Sequence, residues 1–442
     1  MFGTSGVRGP VGETVTADLA LSVGRAVATD GASTVLLGRD ARETGEFLAD
    51  AVAAGLAECG ANVIDLGRVA TPTLARQIAR LDADAGVVVT ASHNPAPDNG
   101  IKLWTPSGQA FDTERRERIA GIIETDSYEF AAWDASGDRR RDSTATAAHE
   151  AALTAAADAA AIDGLEVVVD VGNGVGGVTA DALGELGADV TTLNAQPDGS
   201  FPGRPSEPTA ETLTALCGQV ESGDADLGIA HDGDADRMLA VDETGAFVPK
   251  DVLLALFARR AVEAAGGGRV AVPVDTSRCV GDAVAAAGGE VVHTKVGDVF
   301  VAAAAAEPGA VFGGEPSGAW IWPDETLCPD GPLAACRLAA LVGRQGPLSE
   351  SVGNVDTYPL ARDNIAVDDK AAVMERVADG IERDFDRVDT IDGVRVDAAD
   401  GWFLVRASGT QPLVRVTAEG DTEAAAERLR ELAVDRVTDA RA

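Results

Sequence analysis

The chain has 442 residues and a formal charge of −36, from 72 acidic against 36 basic side chains. At roughly 150 residues per domain the length suggests about three domains, and a 45% hydrophobic composition supports real cores and argues against general disorder. A charge this negative argues against a nucleic-acid footprint and against docking on anionic membranes, while a small anion is acceptable wherever arginines cluster.

Along the chain, short β-branched runs recur, each followed by an Ala-rich stretch of helical spacing. Residues 34–38 (TVLLG) precede helix-like 44–59, residues 62–66 (NVIDL) precede 73–80, and 86–90 (GVVVT) runs straight into a loop. The alternation predicts βαβ units around a mostly parallel sheet. Polar 124–148 reads as a boundary. The pattern restarts with strand 166–171, a Gly-rich turn at 172–177 and a helix to about 186. Strand 226–230 follows a loop containing FPGRPSEP (201–208). A further cycle takes strand 269–274, helix 278–287 and strand 290–292, and 343–365 reads as another linker. The C-terminal part differs: strands at 388–391, 394–397, 402–406 and 413–417 lead to a terminal helix at 422–439, an α+β layout. The spacing of the three α/β units suggests an internal structural repeat.

Only four of the basic residues are lysines (Lys102, Lys250, Lys295, Lys370). Acid-rich, Lys-poor, Ala-rich composition resembles cytoplasmic proteins of extreme halophiles, the alternative being a merely acidic mesophilic enzyme. The five cysteines (59, 217, 279, 328, 336) are scattered without a CxxC pair, which fits a reducing cytosol. Residues 1–10 carry no secretory signal, and no apolar run approaches the ~20 residues of a bilayer span. The expected location is cytoplasmic.

Five segments carry chemistry. In 90–102, TASHNPAPDNGIK, a strand ends at Thr90 and the loop presents Ser92, His93 and Asn94. The arrangement suits a nucleophile at the carboxyl end of a sheet strand; an ordinary polar turn fits the same residues. In HDGDADR (231–237), Asp232, Asp234 and Asp236 bring three carboxylates to one strand end, where a hard cation such as Mg²⁺ would neutralise them. An EF-hand is disfavoured because Arg237 stands where its Gly belongs and the flanks read as strands. In GGEPSG (313–318), two glycines after a short apolar strand precede Glu315 and Ser317, which offer acceptors to hydroxyls. In RASGTQPLVR (406–415), Arg406, Ser408, the Gly409 and Thr410 amides and Arg415 could surround a phosphate. FGTSGVRG (2–9) sets Arg8 in a Gly-rich turn able to reach an anion.

Together these segments resemble the α-D-phosphohexomutase family, in the right order over nearly the whole chain. The details are most similar to its phosphoglucosamine mutase branch, especially archaeal members: ASHNPxxDNGIK at 91–102, VGD at 296–298 and RxSGTxPLxRV at 406–416. The resemblance implies three similar mixed α/β domains plus a smaller C-terminal α+β phosphate-binding domain around a central cleft. The corresponding limits are 1–140 with the phosphoserine loop, 150–250 with the metal loop, 251–345 with the sugar loop, and 355–442. It implies a mutase that interconverts hexose 6-phosphate and hexose 1-phosphate, here glucosamine phosphates, through phospho-Ser92 and a hexose 1,6-bisphosphate. Alternatives are a phosphomannomutase or phosphoglucomutase, or a Mg²⁺-dependent sugar phosphatase. One Mg²⁺ would sit on Asp232, Asp234, Asp236 and a phosphate oxygen on Ser92. Lys102, with Arg8 and His93, would serve catalysis; Glu315 and Ser317 would hold sugar hydroxyls; Arg406, Ser408, Gly409, Thr410 and Arg415 would hold the phosphate that is not reacting. The expected partners are small hexose phosphates, with no nucleic acid or membrane, for a monomer or homodimer. Two positions depart from the family: Ala319 stands where a His is common, and Gln411 replaces the commoner Glu.

Overall fold

The structure, a computed structural model, describes residues 3, 6–385, 387–408 and 413–441. The first unit holds strands β1 (Val7–Pro10), β2 (Thr34–Arg39), β3 (Asn62–Arg68), β4 (Ala85–Val89), β5 (Asp98–Trp104) and β6 (Arg139–Arg141), in sheet order β1-β5-β4-β2-β3-β6. The second holds β7 (Glu166–Asp170), β8 (Asp189–Leu193), β9 (Leu227–His231) and β10 (Met238–Asp242), ordered β10-β9-β7-β8. The third holds β11 (Gly268–Pro273), β12 (Gly289–Thr294), β13 (Ala310–Glu315) and β14 (Ala319–Ile321), ordered β12-β11-β13-β14.

Leaving aside the outer strands β1 and β6, the three sheets share one topology. Three parallel strands are closed by a fourth that returns antiparallel beside the third. This is the internal repeat that the spacing suggests. It also gives the motifs a common address: residues 90–97, 232–237 and 316–318 all fill the connection between third and fourth strand.

The inner strands are apolar because both faces are covered. Val35, Leu37, Val87 and Val89 meet Leu48, Val52 and Leu56 of the helix Gly45–Glu58 in one core. Each such side chain contributes roughly 1.5–3 kcal/mol when fully buried. The helix Gly331–Gln345 is buried nearly all round, at the centre of a core shared by the second and third units. Its charged residues, Arg337 and Arg344, lie seven positions apart on one narrow face.

The fourth unit is an all-antiparallel sheet, β15 (Leu360–Ala366), β16 (Val388–Asp389), β17 (Val394–Ala398), β18 (Gly401–Ala407) and β19 (Leu413–Gly420), ordered β15-β19-β18-β17-β16. The helices Lys370–Asp384 and Glu423–Arg441 cover it. Trp402 and Leu404 pack on Val274 and Val296 of the third unit. The Trp402 indole N–H and the Arg278 amide both donate to Glu419 Oε1, at 2.9 and 3.0 Å.

Three expectations are corrected. Segment 124–148 is not wholly a linker: it contains β6, which pairs with β3 and runs one residue past the expected limit at 140, and the start of the helix Ala145–Ala156. Segment 343–365 contains the helix Leu348–Gly353 and most of β15. Gly313 and Gly314 lie within β13 rather than after it. Among the described residues, no helix is long and apolar enough to cross a membrane.

Candidate active site

Ser92 follows β4 at the carboxyl end of the parallel strands of the first sheet. It is buried, with φ at +53°, a left-handed conformation that a residue with a side chain keeps only where its surroundings hold it. Its amide donates to Thr90 Oγ1 at 2.8 Å. Its hydroxyl donates to Asp232 Oδ2 at 2.6 Å and lies 3.3 Å from His93 Nδ1. Burial, with the charges of Arg237, Arg8 and Lys102, pushes the His93 imidazole down to about 2, so the ring is neutral.

The three aspartates meet as the strand-end pattern leads one to expect: one oxygen from each of Asp232, Asp234 and Asp236 lies within 4.8 Å of the others. The flanks are the antiparallel strands β9 and β10, which rules out the helix-flanked EF-hand. Gly233 lets this loop press against the serine loop, since a Cβ there would sit 2.8 Å from Ser92 O and 2.7 Å from Ser206 Oγ.

Lys102 stands on β5 with its buried ammonium 2.8 Å from Asp234 Oδ2 and 2.6 Å from Asp236 Oδ2. The Thr71 hydroxyl also donates to Asp234 Oδ2, at 2.6 Å. Burial raises the Asp232 carboxyl well above the usual carboxylate range, and the neighbouring Asp236 and Asp234 raise it further. Burial and Asp234 likewise raise Asp236. Burial would also raise Asp234, but the Lys102 charge and hydrogen bond hold it below the ordinary value. The same two carboxylates keep Lys102 above its ordinary value against its own burial. Lys102 pairs directly with two of the three buried carboxylates and the Arg237 charge acts on Asp232 and Asp236, while Asp234 Oδ1 is buried with no hydrogen-bond partner among the described residues. A hard-oxygen set with an unmatched oxygen fits a divalent cation such as Mg²⁺.

The β13–β14 turn joins this loop. Arg237 bridges Ala319, the Met238 amide donates to Gly318 O at 3.0 Å, and the Trp320 indole donates to Met238 O at 2.8 Å. Glu315 accepts from the Gly297 amide at 2.7 Å and from the Ser317 hydroxyl at 3.0 Å. Burial, with Asp298 nearby, pushes its carboxyl up to about 7. Ala319, where the family commonly has His, is buried in β14 opposite Glu315.

Arg8 lies on β1 opposite Gly100 of β5, its Nε buried without a hydrogen-bond partner among the described residues. In the fourth unit, Arg406 and Arg415 are directly opposite on β18 and β19. Both line an open cavity of about 260 Å³ with Arg362, Asp275 and Asp363. Ser408 is buried at the end of β18, its carbonyl accepting from Lys370 Nζ at 2.7 Å. Gly409 and Thr410 lie outside the described residues.

Sequence reasoning missed four residues. Arg42 and Ser206 bind the serine loop through its carbonyls. Arg204, within the FPGRPSEP loop, ties Asp170 at the end of β7 to the His231 carbonyl at the end of β9. Arg362 reaches the arginine cavity from β15. For all four the signal lies only in the tertiary contact.

The sequence matches all four domain descriptions of one family: phosphoglucomutase/phosphomannomutase α/β/α domain I over residues 1–130, domain II over 147–245, domain III over 249–358 and the C-terminal domain over 364–436. The chain belongs to this family. It is therefore a phosphohexomutase, an isomerase. Among phosphohexomutase relatives, the probable phosphoglucosamine mutase of Methanopyrus kandleri is 48% identical over 443 aligned positions, covering 99% of this chain and 97% of the relative. That of Methanothermobacter thermautotrophicus is 45% identical, covering 98% and 96%. A solved phosphoglucomutase/phosphomannomutase family protein from Burkholderia thailandensis superposes with a TM-score of 0.89 at 28% identity, covering 100% of this chain and 98% of that one.

Proposed function

We propose that the chain interconverts glucosamine 6-phosphate and glucosamine 1-phosphate through a phosphoserine at Ser92 and a hexose 1,6-bisphosphate. The observation that carries this reading is the Ser92 hydroxyl, 2.6 Å from Asp232 at the rim of a buried three-carboxylate cluster. The names of the archaeal relatives support the amino sugar.

Asp232, Asp234 and Asp236 would hold one Mg²⁺ together with a phosphate oxygen on Ser92; when bound, the ion neutralises charge on the transferring phosphoryl group. The chain's own residues do the rest. Phospho-Ser92 gives its phosphoryl group to the free hydroxyl of the sugar monophosphate. The P–Oγ bond breaks, a P–O bond to the sugar forms, and the hydroxyl proton ends on Oγ. Lys102, charged while it is paired with Asp234 and Asp236, is set to supply a proton. His93, neutral and 3.3 Å from Oγ, is set to hold a hydrogen bond to that oxygen. Arg8 offers its guanidinium to an oxyanion. Glu315 and Ser317 orient sugar hydroxyls. Arg406 and Arg415, with Ser408, Gly409 and Thr410, anchor the phosphate at the far end of the sugar while the two ends exchange places.

Coupled assays with the 1- and 6-phosphates of glucosamine, mannose and glucose, run side by side, test the substrate. The expected result is the highest kcat/KM on the glucosamine pair. A higher value on the mannose or glucose pair would make the enzyme a phosphomannomutase or phosphoglucomutase instead.

A further inference from the structure

We propose that Arg42, with Asp40 and Ser206, is a positioning device that holds Ser92 in its left-handed conformation and so aims Oγ at the carboxylate cluster. The inference rests on the phosphoserine reading above and assigns residues that reading does not use.

All five N–H donors of the Arg42 guanidinium are taken. Nε donates to Asp40 Oδ2 at 3.0 Å. One terminal nitrogen donates to Pro95 O and Asp98 O, at 2.7 and 2.8 Å, and the other to Ser92 O and Asn94 O, at 2.8 and 2.6 Å. Three of the five bonds therefore end on carbonyls of the serine loop and a fourth on Asp98, the first residue of β5. No donor is left for a substrate, and the Phe201 ring covers the guanidinium at 5.0 Å. The pair is fully buried, where an arginine persists only with its charge matched and its donors met.

Asp40 closes the circuit. Its Oδ2 also accepts from the Thr90 hydroxyl at 2.6 Å, and Thr90 Oγ1 accepts from the Ser92 amide. Both sides of the Ser92 backbone thus return to one carboxylate, the amide through Thr90 and the carbonyl through Arg42. Ser206 adds a hold from the second unit: its hydroxyl donates to Ser92 O at 2.7 Å and accepts from the Gly233 amide at 3.1 Å. One side chain therefore sets the serine loop against the metal loop. Lysine at position 42 would keep the charge but could satisfy at most three of the five acceptors.

The test uses the full-length chain as wild type, Arg42→Lys and Ser206→Ala, the second being mild enough to fold if the first does not. Two quantities are read: hydrogen exchange of the peptide covering 91–98 without ligand, and the rate at which glucose 1,6-bisphosphate phosphorylates dephosphorylated Ser92, followed by intact mass. A displacement of about 1 Å at a reacting group costs on the order of 10²-fold. The clamp predicts faster exchange of 91–98 in both variants. It also predicts a saturating phosphorylation rate down roughly 10- to 100-fold in Arg42→Lys, and less in Ser206→Ala, with the half-saturating concentration little changed. Wild-type exchange together with a wild-type saturating rate in whichever variants fold would overturn it, as would a loss seen only in the half-saturating concentration. If wild type itself takes up no phosphate while the variants exchange faster, the clamp stands and the phosphoserine reading fails.

Discussion

Lys102 and Asp234 form a buried ion pair, 2.8 Å from Nζ to Oδ2, inside the carboxylate cluster that suits a divalent cation. The ammonium therefore serves as a counter-charge within the cluster, beside the charge of Arg237. Removing one partner of a buried pair costs about 3–5 kcal/mol, because the remaining charge is left uncompensated. Lys102→Met should melt well below wild type in EDTA. Added Mg²⁺ should raise its melting temperature by more than it raises that of wild type. Equal Mg²⁺ increments in the two proteins would show that the ammonium and the ion do not share these carboxylates.

Arg406 and Arg415 face one another across β18 and β19, with Arg362 beside them. A charge-assisted hydrogen bond contributes on the order of 1.5–3 kcal/mol, so losing one guanidinium should weaken binding roughly 10- to 150-fold. Arg415→Ala should raise KM and make turnover depend on added 1,6-bisphosphate, because the intermediate escapes before reorienting. Ser92 phosphorylation and Mg²⁺ binding should persist. Unchanged KM without a bisphosphate requirement would place the phosphate anchor elsewhere.

Glu315 ties stability to pH. Its carboxyl is raised from the ordinary 4.5 to about 7, so the folded chain holds this proton more tightly than the unfolded chain does. The contribution is complete below about 4.5 and is lost as pH rises through about 7, at up to about 1.4 kcal/mol per pH unit. Glu315→Gln keeps a neutral side chain at every pH. Denaturant melts should show wild type losing more stability than the variant between about pH 5 and pH 8. Parallel curves would assign the proton to another group.

The formal charge of −36 predicts salt dependence. Screening shortens from roughly 30 Å at 0.01 M to about 3 Å at 1 M ionic strength, so self-repulsion should weaken the fold in dilute buffer. Melting temperatures in dilute buffer and in about 2 M KCl should differ widely. Coincident melts would contradict a halophilic adaptation.

Much of the fold was legible because the inner strands are covered on both faces. Runs such as GVVVT and EVVVDV have no other economical use, and the segments between them have helical spacing. β6 is three exposed arginines at a sheet edge, and β15 is largely exposed. Both are strands by backbone pairing alone, which leaves no apolar pattern. At the site, Ser92 and the three aspartates could be read because one short segment holds each group. Arg42 could not, since its ligands are carbonyls some 50 residues away that the fold brings to it. Arg362 joins the arginine cavity only because Asn364 pairs with Arg415 in the β15–β19 register.

The central claim is that Ser92 carries the phosphoryl group that is exchanged with the sugar. Intact mass and peptide mapping of wild type and Ser92→Ala, after incubation with a hexose 1,6-bisphosphate and Mg²⁺, test it directly. Wild type should gain about 80 Da, one phosphoryl group, on the peptide containing Ser92. Excess glucosamine 6-phosphate should then discharge it into a sugar bisphosphate, while Ser92→Ala gains nothing and turns over nothing. Near-wild-type turnover by Ser92→Ala, or discharge of the label only as inorganic phosphate, would contradict the account.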